Sequence, residues 1–178
     1  QLVVAFSHSH TTPKLTDVCD TIFSSPIPPE HQAHIDQYTA ELTDLLEEVA
    51  LKAIADRKPS TLSWAVGKVT FAVNRRPQGG PVDHDLPMLV VKSADDGAVR
   101  AIYVTYACHC VTLSDNKISG DWAGYAQEAI ERTHPGVIAL TSIGCGSSPS
   151  APRSASGARR SSRSRSRSDV AASVASSS

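Results

Sequence analysis

The stretch Tyr106–Ile130, YACHCVTLSDNKISGDWAGYAQEAI, constrains the fold more than any other part of the chain. An apolar run of β type delivers one histidine, a Gly-Asp turn follows, and a helix comes after the turn. α/β enzymes present reactive groups in this order, with a rigid strand holding the side chain and the loop beyond it open to a ligand. In an extended strand, neighbouring side chains point to opposite faces. Cys108 and Cys110 therefore share one face and His109 takes the other, which argues against a chelate built from three consecutive residues. Any metal held by His109 needs further ligands from elsewhere. The best supplier is Ser7-His8-Ser9-His10, where another apolar run, LVVAF, leads into histidines.

Residues 2–6 read as a strand, and a buried-strand pattern directly after Gln1 leads us to expect that sequence precedes it. At i and i+2 of an extended backbone, His8 and His10 point the same way, the geometry of an H-x-H metal or active-site pair. The alternative is two loop histidines facing water. Residues 11–30 read as loop, and Pro28-Pro29 then opens a helix over about residues 30–57. Its apolar positions, Ile35, Tyr38, Leu42, Leu45, Leu46, Val49 and Ile54, recur at helical spacing and mark a scaffold element. His31 and His34, on its polar first turn, read as solvated.

Leu62–Val73 reads as a strand, bent or bulged at Gly67, that runs into Asn74-Arg75-Arg76-Pro77. Arginine at such an exit can hold a carboxylate, a phosphate or a polar head group; the alternative is an ordinary surface turn. Residues 87–93 and 99–106 form a hairpin around Asp96-Gly97. A helix runs from Asp121 to about His134, and Asp121 either caps it or orients a metal-bound histidine from behind. A strand over residues 137–143 enters Gly144-Cys145-Gly146-Ser147. The fold class is α/β (mixed α+β): a central sheet with packed helices, histidines at strand exits, and a disordered C-terminal tail.

That tail is set apart by composition. Residues 147–178 hold fourteen serines, six arginines, one aspartate and no aromatic residue. Such a segment cannot bury enough apolar surface to offset its ordering entropy. It carries +5, so the chain's overall −1 leaves −6 on residues 1–146. We therefore divide the chain into a folded body, 1–146, and a disordered Ser/Arg-rich tail, 147–178. The tail admits a non-enzymatic reading, a binding module that contacts RNA or acidic partners. The acidic body and the lack of aromatic residues in the tail argue against a nucleic-acid partner. The four cysteines lack CxxC spacing, and no apolar run reaches membrane-spanning length.

The ordered set S-H-x-H, VNRRP, GPVDHDLPML, the hairpin, YACHCVTL, ISGDWAGYAQEAIE, HPG and a strand into GCG spans roughly residues 2–146. It resembles the amino-terminal catalytic domain of the neutral/alkaline ceramidases, above all their shorter bacterial ceramidase-like relatives. The resemblance implies zinc-dependent amide hydrolysis that releases a fatty acid from a ceramide-like lipid, at a membrane surface and in a secreted or extracytoplasmic setting. It implies His8 and His109 as Zn2+ ligands, His10 as a catalytic contact, and Arg75 as a catalytic and substrate-binding residue.

Family sites are completed by a Glu and a Tyr from much further along the chain, which have no counterpart here. We accordingly expect an incomplete domain with weak activity or none. Ser147 and Ser148 fall near the loop in which the family carries a serine contact, but in a run that departs from its pattern. The abrupt switch to Ser/Arg/Ala repeats reads as a frame change or truncation.

Overall fold

The computed structural model describes residues 2–22, 25–76, 79–113, 116–144 and 149–150, with Thr21, Pro149 and Ser150 described by backbone alone. Their contacts define two units, one of Leu2 and Thr12–Lys58, the other of Val3–Thr11 and the described residues from Pro59 onward.

The first unit is built on helix α1, Pro29–Ala55. Proline at the first helical position wastes no hydrogen bond, because that N–H has no partner inside a helix anyway. The helix ends ahead of Pro59, which cannot continue it. Side-chain pairs one turn apart, Gln32 with Asp36, Gln37 with Glu41 and Lys52 with Glu48, support it along its length. Thr16 ties the preceding loop down, donating from its hydroxyl to Asp36 (2.7 Å) and from its N–H to Thr39 Oγ1 (3.0 Å). The apolar stripe seen in the sequence is present, yet none of the helix's residues is buried. His31 and His34 are exposed, as expected.

The second unit carries a four-stranded sheet in the order β1-β3-β4-β5: β1 Ser60–Lys68, β3 Asp85–Ser93, β4 Val99–Tyr106 and β5 Ile138–Ile143. Strand β1 pairs with β3 in unbroken register from Ser60↔Ser93 to Lys68↔Asp85, so the bend expected at Gly67 is absent. The strand stops at Lys68, and Val73–Asn74 forms a separate short strand, β2, paired with Pro149–Ser150, β6. The one register shift between β3 and β4 falls at Val91/Lys92, beside the hairpin turn. That turn is the expected one: Gly97 takes φ 73° and donates to the Ser93 carbonyl at 3.1 Å. Strands β4 and β5 are parallel, joined through α2, Asp121–Thr133.

Helix α2 brings Trp122, Ala123, Ala126 and Ile130 into one core with Met88, Ile102, Val104, Tyr106 and Ala139 of the sheet. Three of the helix's buried residues are alanines, which lets its backbone approach the strands closely. The opposite sheet face is also apolar but open: Leu62, Trp64 and Val66 of β1 and Ile138 and Leu140 of β5 are each more than half exposed. The expectation for residues 2–6 is corrected. They form no strand, and Val3 and Phe6 are 87 % and 75 % exposed. An apolar run becomes a strand only when a neighbour supplies ladder hydrogen bonds, and no described strand does so here. Observed and expected fold class agree, a mixed α/β sheet with helices. Residues 151–178, most of the predicted tail, lie outside those described. Among the described residues no helix is long and apolar enough to cross a membrane.

Tyr106 closes the core at the end of β4. Its hydroxyl donates to the Val69 carbonyl (2.6 Å) and accepts from the Ala72 N–H (3.3 Å), and its ring meets Phe71 and Trp122. Burial pushes its phenol up from 10.0 to about 12. The folded state then binds that proton more tightly than the unfolded chain does. The stabilisation is whole below pH 10 and is lost as pH rises through about 12. Unfolding free energy from urea titration should therefore fall across that window. Tyr106→Phe should shrink the fall and cost about 2 kcal/mol at neutral pH, since Val69 and Ala72 lose a buried partner.

Candidate metal centre

Past Tyr106 the chain does not continue as a strand. It makes two three-residue turns, with the Cys108 N–H donating to the Tyr106 carbonyl (2.8 Å) and the Val111 N–H to the His109 carbonyl (3.0 Å). Gly144, leaving β5, also donates to the Tyr106 carbonyl at 2.8 Å. A Cβ on Gly144 would stand 3.2 Å from the Ala107 nitrogen, so glycine is what lets the two strand exits close up. The carboxyl ends of parallel strands are where open α/β sheets place their ligands. The side chains divide as the sequence suggests, Cys108 and Cys110 fully buried and His109 half-buried, but turns rather than strand alternation divide them. Burial pushes the Cys110 thiol up to about 12, which keeps it protonated and unsuited to metal.

The segment carrying the other two histidines lies against this exit, with the His10 N–H donating to the Cys110 carbonyl at 3.2 Å. The extended H-x-H geometry is not what forms. His8 has φ 53°, the left-handed region that histidine enters more readily than most residues. The rings nevertheless gather. His8 lies 4.9 Å from His10 and 4.7 Å from His109 between centroids, while His10 and His109 are 6.3 Å apart, so His8 occupies the middle. One ring nitrogen from each of the three lies within 4.8 Å of the others. Two nitrogens on one zinc ion stand at most about 4.2 Å apart, given Zn–N bonds of about 2.1 Å. The rings must draw together to share an ion, and the donor set, three imidazoles, suits a divalent transition metal. His8 and His10 are exposed and His109 is half-buried, which leaves the centre open on one side.

The remaining sequence candidates are not among the gathered rings. Arg75 is exposed on the turn after β2, where Asn74 accepts from the Arg76 N–H (3.0 Å) and donates to the Pro81 carbonyl (3.1 Å). Asp121 is fully buried at the start of α2. Ser147 and Ser148 lie outside the described residues. Sequence reasoning missed Ser9, Thr11 and Ser119, whose hydroxyls and backbone bridge separations of 108 and 110 residues. No local pattern signals such pairs.

The mixed α/β fold of the chain has counterparts among solved structures. The chain superposes on the crystal structure of a neutral ceramidase from Pseudomonas aeruginosa with a TM-score of 0.60 and 17 % identity, over 76 % of this chain and 24 % of that one. A second likeness, to a ceramidase complexed with C2, has a TM-score of 0.47 and 19 % identity, over 53 % of this chain and 17 % of that one. The chain thus spans about a quarter of the length of the neutral ceramidase, and at this identity the likeness shows a shared fold. No protein-family model and no curated sequence matches the chain.

The ring geometry ranks the histidines. Zinc titration against a chromophoric chelator should show His8→Ala and His109→Ala each weakening binding about 100-fold or more. His10→Ala, which removes the ring that lies farther from His109 than His8 does, should cost less. Equal zinc affinity in the parent and the His8 variant would dissolve the centre.

Proposed function

We propose that this chain carries the imidazole portion of a zinc-dependent amidohydrolase site, acting on ceramide-like lipids by hydrolysis of the N-acyl bond. The observation that carries the reading is the gathering of His8, His10 and His109 at the carboxyl ends of two parallel strands, on a fold shared with a neutral ceramidase. His8 and His109 would hold the ion. When bound, zinc supplies Lewis acidity, which polarises an amide carbonyl and lets water react near neutral pH. Water adds to the carbonyl carbon and the C–N bond breaks, giving a fatty acid and a sphingoid base.

The chain's own groups take the remaining roles. His10, on the solvent side, donates an N–H to the carbonyl oxygen as negative charge builds there. Arg75, a planar fork of donors on a surface turn, holds the polar head or the product carboxylate. The exposed approach to the rings admits a lipid from a membrane surface, and an extracytoplasmic setting accompanies that substrate. The competing reading, a basic tail for acidic partners, rests on residues outside those described.

Two imidazoles, one exposed and one half-buried, enforce a zinc geometry weakly, so we expect slow turnover at best from these 178 residues. Fatty-acid release from an N-acyl sphingosine, followed by mass spectrometry with added zinc, measures it. The double variant His8→Ala/His109→Ala should abolish whatever release the parent gives. Release that survives the double substitution assigns the chemistry elsewhere.

A further inference from the structure

We propose that the turn Ser119–Trp122 is the positioning clamp of the metal centre, gripping both histidine segments, with Asp121 as its key residue. This rests on the metal reading above. On one side the clamp holds the segment after β4. The buried Asp121 carboxylate accepts from the Thr112 hydroxyl (2.5 Å) and the Leu113 N–H (2.9 Å), and the Trp122 indole N–H donates to the carbonyl of His109 itself (3.2 Å). On the other side it holds the amino-terminal segment. The Ser119 carbonyl accepts from the hydroxyls of Ser9 (3.0 Å) and Thr11 (2.9 Å), and the Ser119 N–H donates to the Thr11 carbonyl (2.9 Å). Inside the turn, the Asp121 N–H donates to Ser119 Oγ at 3.0 Å, which joins the two grips.

Helix capping alone does not account for this arrangement. Among the described residues, one bond accepted by the Asp121 carboxylate serves the helix, the one from the Trp122 N–H at 2.7 Å, and two reach eight and nine residues back into the His109 loop. The backbone at Asp121 has φ 55°, a conformation that glycine would adopt without penalty. A carboxylate there is worth its strain only for what it accepts. Gly120 is equally constrained, since a Cβ on it would stand 2.9 Å from the Gly124 Cα. Trp122 is wedged edge-on against Tyr106, with 5.8 Å between centroids, so the clamp is anchored in the core rather than in a floating loop.

The test compares Asp121→Asn and Thr11→Val, which removes a hydroxyl that donates to the Ser119 carbonyl, with Ala126→Gly, a control that weakens the middle of α2 without touching either grip. Asparagine matches the shape of aspartate but turns one acceptor into a donor that faces N–H or O–H groups. Two readouts on the full chain are taken at a temperature where all variants stay folded: zinc affinity by chelator competition, and amide hydrogen exchange of the metal-free protein. We expect zinc affinity about ten-fold weaker in Asp121→Asn and Thr11→Val and unchanged in Ala126→Gly. Exchange should quicken over residues 109–113 in the first and 8–11 in the second. Parent-like affinity in both Asp121→Asn and Thr11→Val, or an equal loss in the control, overturns the clamp. If the parent and His8→Ala bind zinc alike, the metal reading fails, and the clamp is then judged on exchange alone: unchanged rates at both segments refute it.

Discussion

Two parallel strands cannot be joined by a tight turn; a crossover must carry the chain from the end of one back to the start of the next. Helix α2 is that crossover between β4 and β5, and the site depends on it. Both strands end on the same side, where Tyr106 and Gly144 meet through one hydrogen bond. The chain between β4 and α2 must then pass over those ends, and His109 lies in that passage. Entering the helix at the required angle puts Asp121 in left-handed backbone, at a cost of about 1–2 kcal/mol for a residue with a Cβ. Three accepted hydrogen bonds, each contributing roughly 1–2 kcal/mol when the acceptor is charged, offset it.

Much of this frame was legible in the sequence because its signals are local. Asp96-Gly97 announces the hairpin, Pro28-Pro29 the start of α1, and the Gly-Asp pair the entry to α2. The failures share a cause. LVVAF has the composition of a buried strand, but strand status is conferred by a partner, and composition does not name one. The end of β1 was misplaced likewise: LSWAVGKVTFAV reads as one run, while the chain leaves the sheet at Lys68 so that Val69 and Ala72 can meet the Tyr106 hydroxyl.

The candidate site was legible in part, and once for the wrong reason. That His8, His10 and His109 belong together followed from two apolar runs ending in histidines. The geometry that joins them is different from the one inferred: a left-handed residue at His8 and two tight turns around His109 replace extended alternation. Ser9, Thr11 and Ser119 stayed invisible because a hydroxyl bonded to a carbonyl more than a hundred residues away leaves no periodicity and no motif.

These bonds also settle which half of the centre is costlier to order. His109 belongs to a backbone that the core fixes through Tyr106, Trp122 and the fully buried Asp121. His8 and His10 belong to a segment with exposed side chains and no ladder, tied through the His10 N–H, the Thr11 carbonyl and the hydroxyls of Ser9 and Thr11. Among the described residues these four bonds alone contribute on the order of 4 kcal/mol. Fixing the backbone of residues 8–11 costs roughly 4–8 kcal/mol. The two terms nearly cancel, so in the proposed reading the affinity for zinc contains the cost of ordering this segment, as it does wherever binding and local folding are coupled. Residues that never touch the ion then set its affinity. In that reading the hydroxyls opposite Ser119 help set the affinity of the centre that the rings form.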